Sequence, residues 1–356
     1  GAGLKIGWIS RGAANPVYLL GAGWQATIIT VGSNNVWAVD NTGAVSSGAP
    51  LGNNPPTGYP CTIRNMWIQG YNGVGAIYPA INAGSASIYR CIINSGTIPL
   101  NIGGSSDNVF SEVYAYGGYS RAICFVQGAS SGQAACWFYR CKFDQGIPNN
   151  IALTGIEVVP TWATGQTWNV GNLVTTTDAN WILVCSHGGA GATSGSGPSP
   201  TAYGSAVTDN AAQWLLYCPN NYALLWLDDH AAQNQFIFCD FTGTSLYNIV
   251  LSSQSETGGP TETVFHQCTF GGAIYGAINA AYGSQLNLSM SPQLGATVSV
   301  TLGYGISFAS TWGGTSLIEA STIYNVVNGI VINGGSNPIK IHNCTIFSCS
   351  SYGIEI

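Results

Sequence analysis

A six-residue pattern recurs along this chain and limits its folds more than any other feature. It reads large apolar, two variable, Cys or another small or apolar residue, one variable, large apolar. Clear copies run Ile63–Ile68 around Met66, Ile88–Ile93 around Cys91, Phe138–Phe143 around Cys141 and Phe236–Phe241 around Cys239. Others are Phe265–Phe270 around Cys268, Ile318–Ile323 around Ser321 and Ile341–Ile346 around Cys344, with a weaker one at Phe110–Ala115 around Val113. A second apolar pair follows at a nearly fixed distance, as Leu100/Ile102, Ile123/Phe125, Ile151/Leu153, Ile249/Leu251, Ile330/Ile332 and Ile354/Ile356. Alternation with period two in both places means strands with one buried face. A unit of about two dozen residues built from short strands means a solenoid, whose repeats bury their apolar faces on one another. The expected fold is all-β: a right-handed parallel β-helix with one small β-rich insert.

Between the first apolar position and the cysteine slot the alternation breaks, so the chain must bend there within two residues. Asn65 and Asn343 stand at the bend, and Asn tolerates the left-handed backbone such a bend needs. Met66, Cys91, Val113, Cys141, Cys239, Cys268, Ser321 and Cys344 should then point inward in one column. A free Cys packs as a small apolar residue, and stacked coils seldom meet the geometry of a disulfide. The ladder therefore reads as reduced core.

Charged residues are only 6% of the chain and basic ones number 8, giving a net charge of −6. That excludes a protein that tracks nucleic-acid phosphates. The surface must instead be Ser, Thr, Asn, Gln, Gly and aromatic rings. The uncharged stretch from Arg11 to Asp40 is broken by Pro16 and several glycines, so no membrane insertion is expected. The chain opens at Gly1 and stops at Ile356 inside a strand-like run, which reads as the central part of a longer protein.

On these residues the chain resembles the pectate-lyase-like β-helix superfamily, of the phage tailspike or tail-fibre type. Ile341-His342-Asn343-Cys344-Thr345-Ile346 with Ser351–Ile356 is similar to its typical coil, as is Asn328-Gly329-Ile330-Val331-Ile332. Val17–Gly23, leading to Ala26–Ile29, is similar to an entry coil. The resemblance implies the fold, and it implies no single activity, because the superfamily spans lyases, hydrolases, epimerases, adhesins and tailspikes. Residues 160–217 interrupt the coils with Trp162, Trp168, Trp181 and Trp214 set among turn signals, dividing the chain into coils 1–159, an insert, and coils 218–356. This insert resembles the small aromatic-rich modules of phage tail proteins and of carbohydrate-binding chitinase modules. It departs from them at Asp209-Asn210-Ala211, where they have Asp-Gly and a β-branched residue. The resemblance implies sugar contact by Trp162, Trp168 and Trp181, while a module this small also needs tryptophan as core.

Acidic residues number 14, so the search for catalysis is short. Trp226-Leu227-Asp228-Asp229-His230 is the dense group. With Leu225 and Leu227 inward, Trp226 should face outward and the two carboxylates should sit at a coil corner. A ring for stacking beside two carboxylates and an imidazole suits glycoside cleavage. Asp228 and Asp229 are the expected acid and base, Glu256 their partner from a neighbouring coil, and Trp226 and His230 sugar contacts. The same residues also fit a solvated turn. The outward row Asn101, Cys124, Ala152, Trp226, Val250, Asn279, Val331 and Glu355 is mostly apolar or amide, a face to be covered by a loop or a neighbouring subunit. Arg90, Glu112 and Arg140 share the bend position and should form an exposed charge ladder. Cys185, His187 and Cys218 lack a second zinc-spaced pair, so neither metal nor cofactor is expected.

The combined reading is a tailspike-like protein that recognises a bacterial surface polysaccharide as a homotrimer, at a virion tail or outside the cell. Whether it also depolymerises the glycan stays open at this stage. The alternatives are a secreted monomeric polysaccharide lyase or glycoside hydrolase, and a non-catalytic structural or filament protein.

Overall fold

The computed structural model describes residues 4–5, 17–32, 38–40, 60–70, 80–95, 99–103, 108–117, 122–127, 135–144, 160–169, 172–177, 181–199, 206–219, 223–228, 231–243, 245–251, 260–280, 286–289, 293–296, 303–309, 315–334 and 337–356. Every regular element among them is a strand. Each coil contributes three strands, and like strands pair in parallel from coil to coil. The first ladder holds ten strands, from Val17–Leu20 through Cys61–Arg64, Ala86–Tyr89, Asn108–Ser111, Cys136–Tyr139, Gln235–Ile237 and Thr263–His266 to Ile339–His342. The second passes through Trp67–Gln69, Ile92–Ser95, Tyr114–Gly117, Lys142–Asp144 and Asp240–Phe241. The third passes through Leu100–Gly103, Ala122–Gln127, Ala223–Asp228 and Ser245–Leu251. The strand Thr269–Ala280 serves the second and third ladders of its coil in one run.

The bend between first and second strands is the joint that the repeat demands. Asn65, Arg90, Glu112, Arg140, Phe238, Gln267, Ala320 and Asn343 all sit there with φ between 46° and 57°. This conformation costs a non-glycine residue roughly 1–2 kcal/mol. Stacking offsets the cost, because the bend N–H reaches the next coil at every one of these positions but Asn343, which is on the last coil. Arg90 donates to the Ser111 carbonyl at 3.0 Å, Glu112 to Tyr139 at 2.9 Å and Phe238 to His266 at 3.0 Å. The column behind the bend is buried as expected, with Met66, Cys91, Val113, Cys141, Cys239, Cys268 and Ser321 all inside and Cys344 half-buried. Its thiols are free and do more than pack. Cys91 donates to the Tyr89 carbonyl at 3.2 Å, Cys141 to Tyr139 at 3.5 Å and Cys344 to His342 at 3.4 Å. Ser321 makes the same bond to Glu319 at 2.9 Å. A small side chain with one donor satisfies the carbonyl two residues back, which explains why Cys and Ser share the slot.

Aromatic rings stack through the interior at 4.6 Å for Phe110–Phe138 and Phe138–Phe236, and 4.8 Å for Phe236–Phe265. A parallel column runs Phe143–Phe241–Phe270 at 4.9 and 5.4 Å.

Three expectations need correction. Cys124 and Val126 pair with Leu100 and Ile102 and are buried with them, so Cys124 does not belong to the outward row. Second, Ala122–Gln127 pairs directly with Ala223–Asp228. The insert thus lies between the second and third strands of one coil, Lys142–Asp144 and Ala223–Asp228, and Ala152 falls outside the described residues. Ile151 and Leu153 fall outside the described residues. Third, an additional coil begins at Leu286–Ser289; its Leu288 and Leu294 are six apart instead of five, which hides it from the pattern.

The insert is antiparallel. Leu173–Thr175, Trp181–His187, Ala212–Pro219 and Val207–Asp209 form one sheet in that order, and Thr167–Trp168 pairs with Gly189–Ala190. Pairing of Trp181 with Pro219 carries the module two residues past Tyr217. At the questioned turn, Asn210 takes a left-handed φ of 56° and closes the hairpin between Asp209 and Ala212.

Candidate functional site

Asp228 ends its strand opposite Gln127, but its side chain, together with Asp229, His230 and Glu256, lies outside the described residues. Trp226 is only 4% exposed and its Nε1 lacks a hydrogen-bond partner. Burial corrects its reading as an open stacking platform. Val250, Ser307 and Val331 in the same outward row are buried too. Asn279 and Glu355, farther along the row, are half-buried.

The insert's tryptophans are organised by one carboxylate. Asp209, itself buried, accepts from Trp162 Nε1 at 2.9 Å, Trp214 Nε1 at 3.2 Å and the Ala192 N–H at 2.8 Å. Trp162 is 5% exposed, and Trp168 packs edge-on against Trp214 at 5.1 Å with its Nε1 buried. For Trp162 this corrects the expectation of sugar contact, while Trp168 is half-buried against the same core. The Trp181 side chain is outside the described residues. Cys185 packs in the same small core.

An open site lies elsewhere, along the bend of the first coils. The loop of residues 21–27 folds over it, held by Gly21 N–H to the Arg64 carbonyl and Gly23 N–H to Asn65, both at 2.9 Å. Gly21 is required there, since a Cβ would fall 2.3 Å from the Asn65 oxygen. The loop lifts Trp24 into solvent, 55% exposed. Beneath it is a cleft of about 340 Å³ lined by Trp24, Asn65, Arg90, Glu112 and Tyr114, within the size range of small-molecule sites. Arg90 Nε and Glu112 Oε2 pair at 2.9 Å across neighbouring coils, as the charge ladder anticipated. Arg140 instead rests over the Tyr139 ring at 5.1 Å.

Tyr114 connects the cleft to a polar cluster on the second ladder. Lys142 stands opposite Tyr114 in register, Asp240 opposite Lys142, and Asp144 opposite Tyr116. The Tyr114 hydroxyl donates to Asp144 Oδ2 at 3.3 Å, its ring stacks on Tyr116 at 5.1 Å, and Lys142 Nζ lies 5.6 Å from its centroid. Burial, and then the charge of Asp144, push the Tyr114 phenol up to about 12, so it remains a hydrogen-bond donor across the biological pH range. Asp240 keeps a buried Oδ1 with no hydrogen-bond partner. Trp67 Nε1 donates to Asn94 at 2.6 Å on the same face. Aromatic rings bordered by polar side chains are what sugar faces and hydroxyls require.

Residues 217–356 match the family model described as right handed beta helix region. The fold is a right-handed parallel β-helix. No curated protein matches the chain. The matched part of this right-handed β-helix covers its later coils, whereas the cleft and its polar cluster lie on the earlier ones, apart from Asp240.

Lys142, Asp144 and Asp240 were not singled out from sequence. Lys142 and Asp144 flank the inward Phe143, and Asp240 precedes the inward Phe241. Their signal is this shared outward parity, which the insert between the two strands conceals.

Proposed function

We propose that this β-helix recognises a bacterial surface polysaccharide in the manner of a phage tailspike or tail fibre, as a homotrimer acting at a virion tail or outside the cell. The observation that carries the reading is the cleft beneath Trp24, where an exposed indole, the Arg90–Glu112 pair and Tyr114 converge. The chain's scarcity of basic residues supports a hydroxyl-rich ligand over nucleic acid.

The test is retention on a panel of immobilised bacterial capsular polysaccharides and lipopolysaccharide O-chains. Trp24→Ala and Glu112→Gln should each weaken retention at least about tenfold, equivalent to roughly 1.4 kcal/mol. Equal retention by wild type and both variants would remove the cleft from the account. Soluble oligosaccharide released in the same assay would add depolymerisation, and sedimentation would read the trimer directly. A monomer that releases oligosaccharide would favour a secreted hydrolase or lyase instead.

A further inference from the structure

Solvent-facing rings gather on the first ladder around the insert-bearing coil, on the coils that follow those of the cleft. Trp137 is 58% exposed, Tyr139 37% and Phe238 44%. Trp137 and Tyr139 lie two residues apart on one strand, hence on one face. Phe238, on the next coil, meets Tyr139 edge-on at 5.7 Å and His266 at 6.3 Å.

Folding does not ask for these rings. Coils aligned with Trp137 carry Ser87, Val109, Gln235, Val264 and Asn287 at the same position. Phe238 occupies a left-handed bend, φ 57°, that other coils fill with Asn65, Gln267, Ala320 or Asn343. The interior of its coil is already filled by Phe236 and Phe241. An exposed Phe at this bend thus adds nothing to the core and leaves its ring open to solvent.

Area helps to choose the occupant. Fully covered aromatic side chains bury about 150–250 Å² each, so three half-exposed rings offer roughly 300 Å². A stable protein interface needs about 800 Å² per partner. The surroundings are polar: Gln235 is beside Trp137, Arg140 lies over Tyr139, and His266 is hydrogen-bonded to Ser289 at 3.0 Å. We propose that Trp137, Tyr139 and Phe238 form a second, ring-stacking platform for sugar residues of a long polysaccharide, supplementing the cleft. The proposal rests on the glycan-recognition reading and names a further subsite for it.

Phe238→Asn gives the test an internal control, because Asn suits the bend. This variant should unfold at the same or a higher temperature than wild type. With a capsular polysaccharide that the wild type retains, Phe238→Asn and Trp137→Ser should weaken long-chain binding about tenfold while leaving binding of its short fragments at the cleft unchanged. Unaltered long-chain binding by both variants would overturn the platform and leave glycan recognition standing. A clear loss of thermal stability in Phe238→Asn would also overturn it, by making the ring structural. So would a loss of oligomeric mass in either variant, which would assign the rings to a second copy. If wild type retains no glycan of the panel, the recognition reading fails and the platform fails with it.

Discussion

The β-helix and the module inserted into it are both all-β, yet they are held together differently. In the helix the coils draw on the same small set of devices: a left-handed bend bonded to the next coil, a thiol or hydroxyl on the carbonyl two residues back, and a stacked ring. No single coil is indispensable, because stability is a sum over neighbours. In the module, two indoles and a backbone N–H converge on Asp209. Repetition spreads stability along the solenoid, whereas the module concentrates it at one residue.

The largest effect expected from this contrast is at Asp209. Asp209→Ala removes the acceptor of two buried indole N–H groups, each costing about 1–3 kcal/mol when left unpaired. The module's tryptophan near-ultraviolet circular dichroism should collapse while the helix keeps its far-ultraviolet signal and melting temperature. One shared transition lowered as a whole would break the comparison.

Alkaline pH should act mainly on the helix. Burial raises the Cys91 thiol from 9.0 to about 11, and raises Cys124, Cys141 and Cys239 well above their ordinary value. A raised thiol pKa means the folded state holds its proton while the unfolded chain, titrating near 9, releases it. The stabilisation is therefore whole below about pH 9 and is lost as pH rises toward 11. Each such thiol contributes a slope of about 1.4 kcal/mol per pH unit in that window. Urea midpoints at pH 8 and pH 10.5 should fall less in Cys91→Val than in wild type, and equal falls would remove this thiol from the alkaline response.

The smallest effect is at the bend surface. Arg90 and Glu112 are both largely solvent-exposed, so Arg90→Gln should cost below about 1 kcal/mol, read as a urea-midpoint shift. A cost of several kcal/mol would show that the charge ladder, and not the backbone and interior, holds the coils.

The bend and its cysteine column were legible in sequence because spacing within them never changes from Ile63 to Phe270. The third strand was less so. In Ala122–Gln127 both Ile123/Phe125 and Cys124/Val126 are apolar pairs, so alternation alone cannot choose the face, and only pairing with Leu100 and Ile102 decides it. The site was legible least. Asp228-Asp229 stands out because its charges are adjacent in sequence, while Lys142 and Asp240 are far apart in the chain and stand opposite each other only because adjacent coils stack their strands. Trp24 belongs to a loop without periodicity, and its exposure follows from the backbone path that Gly21 permits.

The most direct test of the central claim is a crystal structure of the full chain soaked with fragments of a polysaccharide it retains. Sugar density in the cleft beneath Trp24, in contact with the Arg90–Glu112 pair and the Tyr114 hydroxyl, is the predicted result. Density confined to the coil corner at Asp228 and Asp229, with the Trp24 cleft unoccupied, would contradict it.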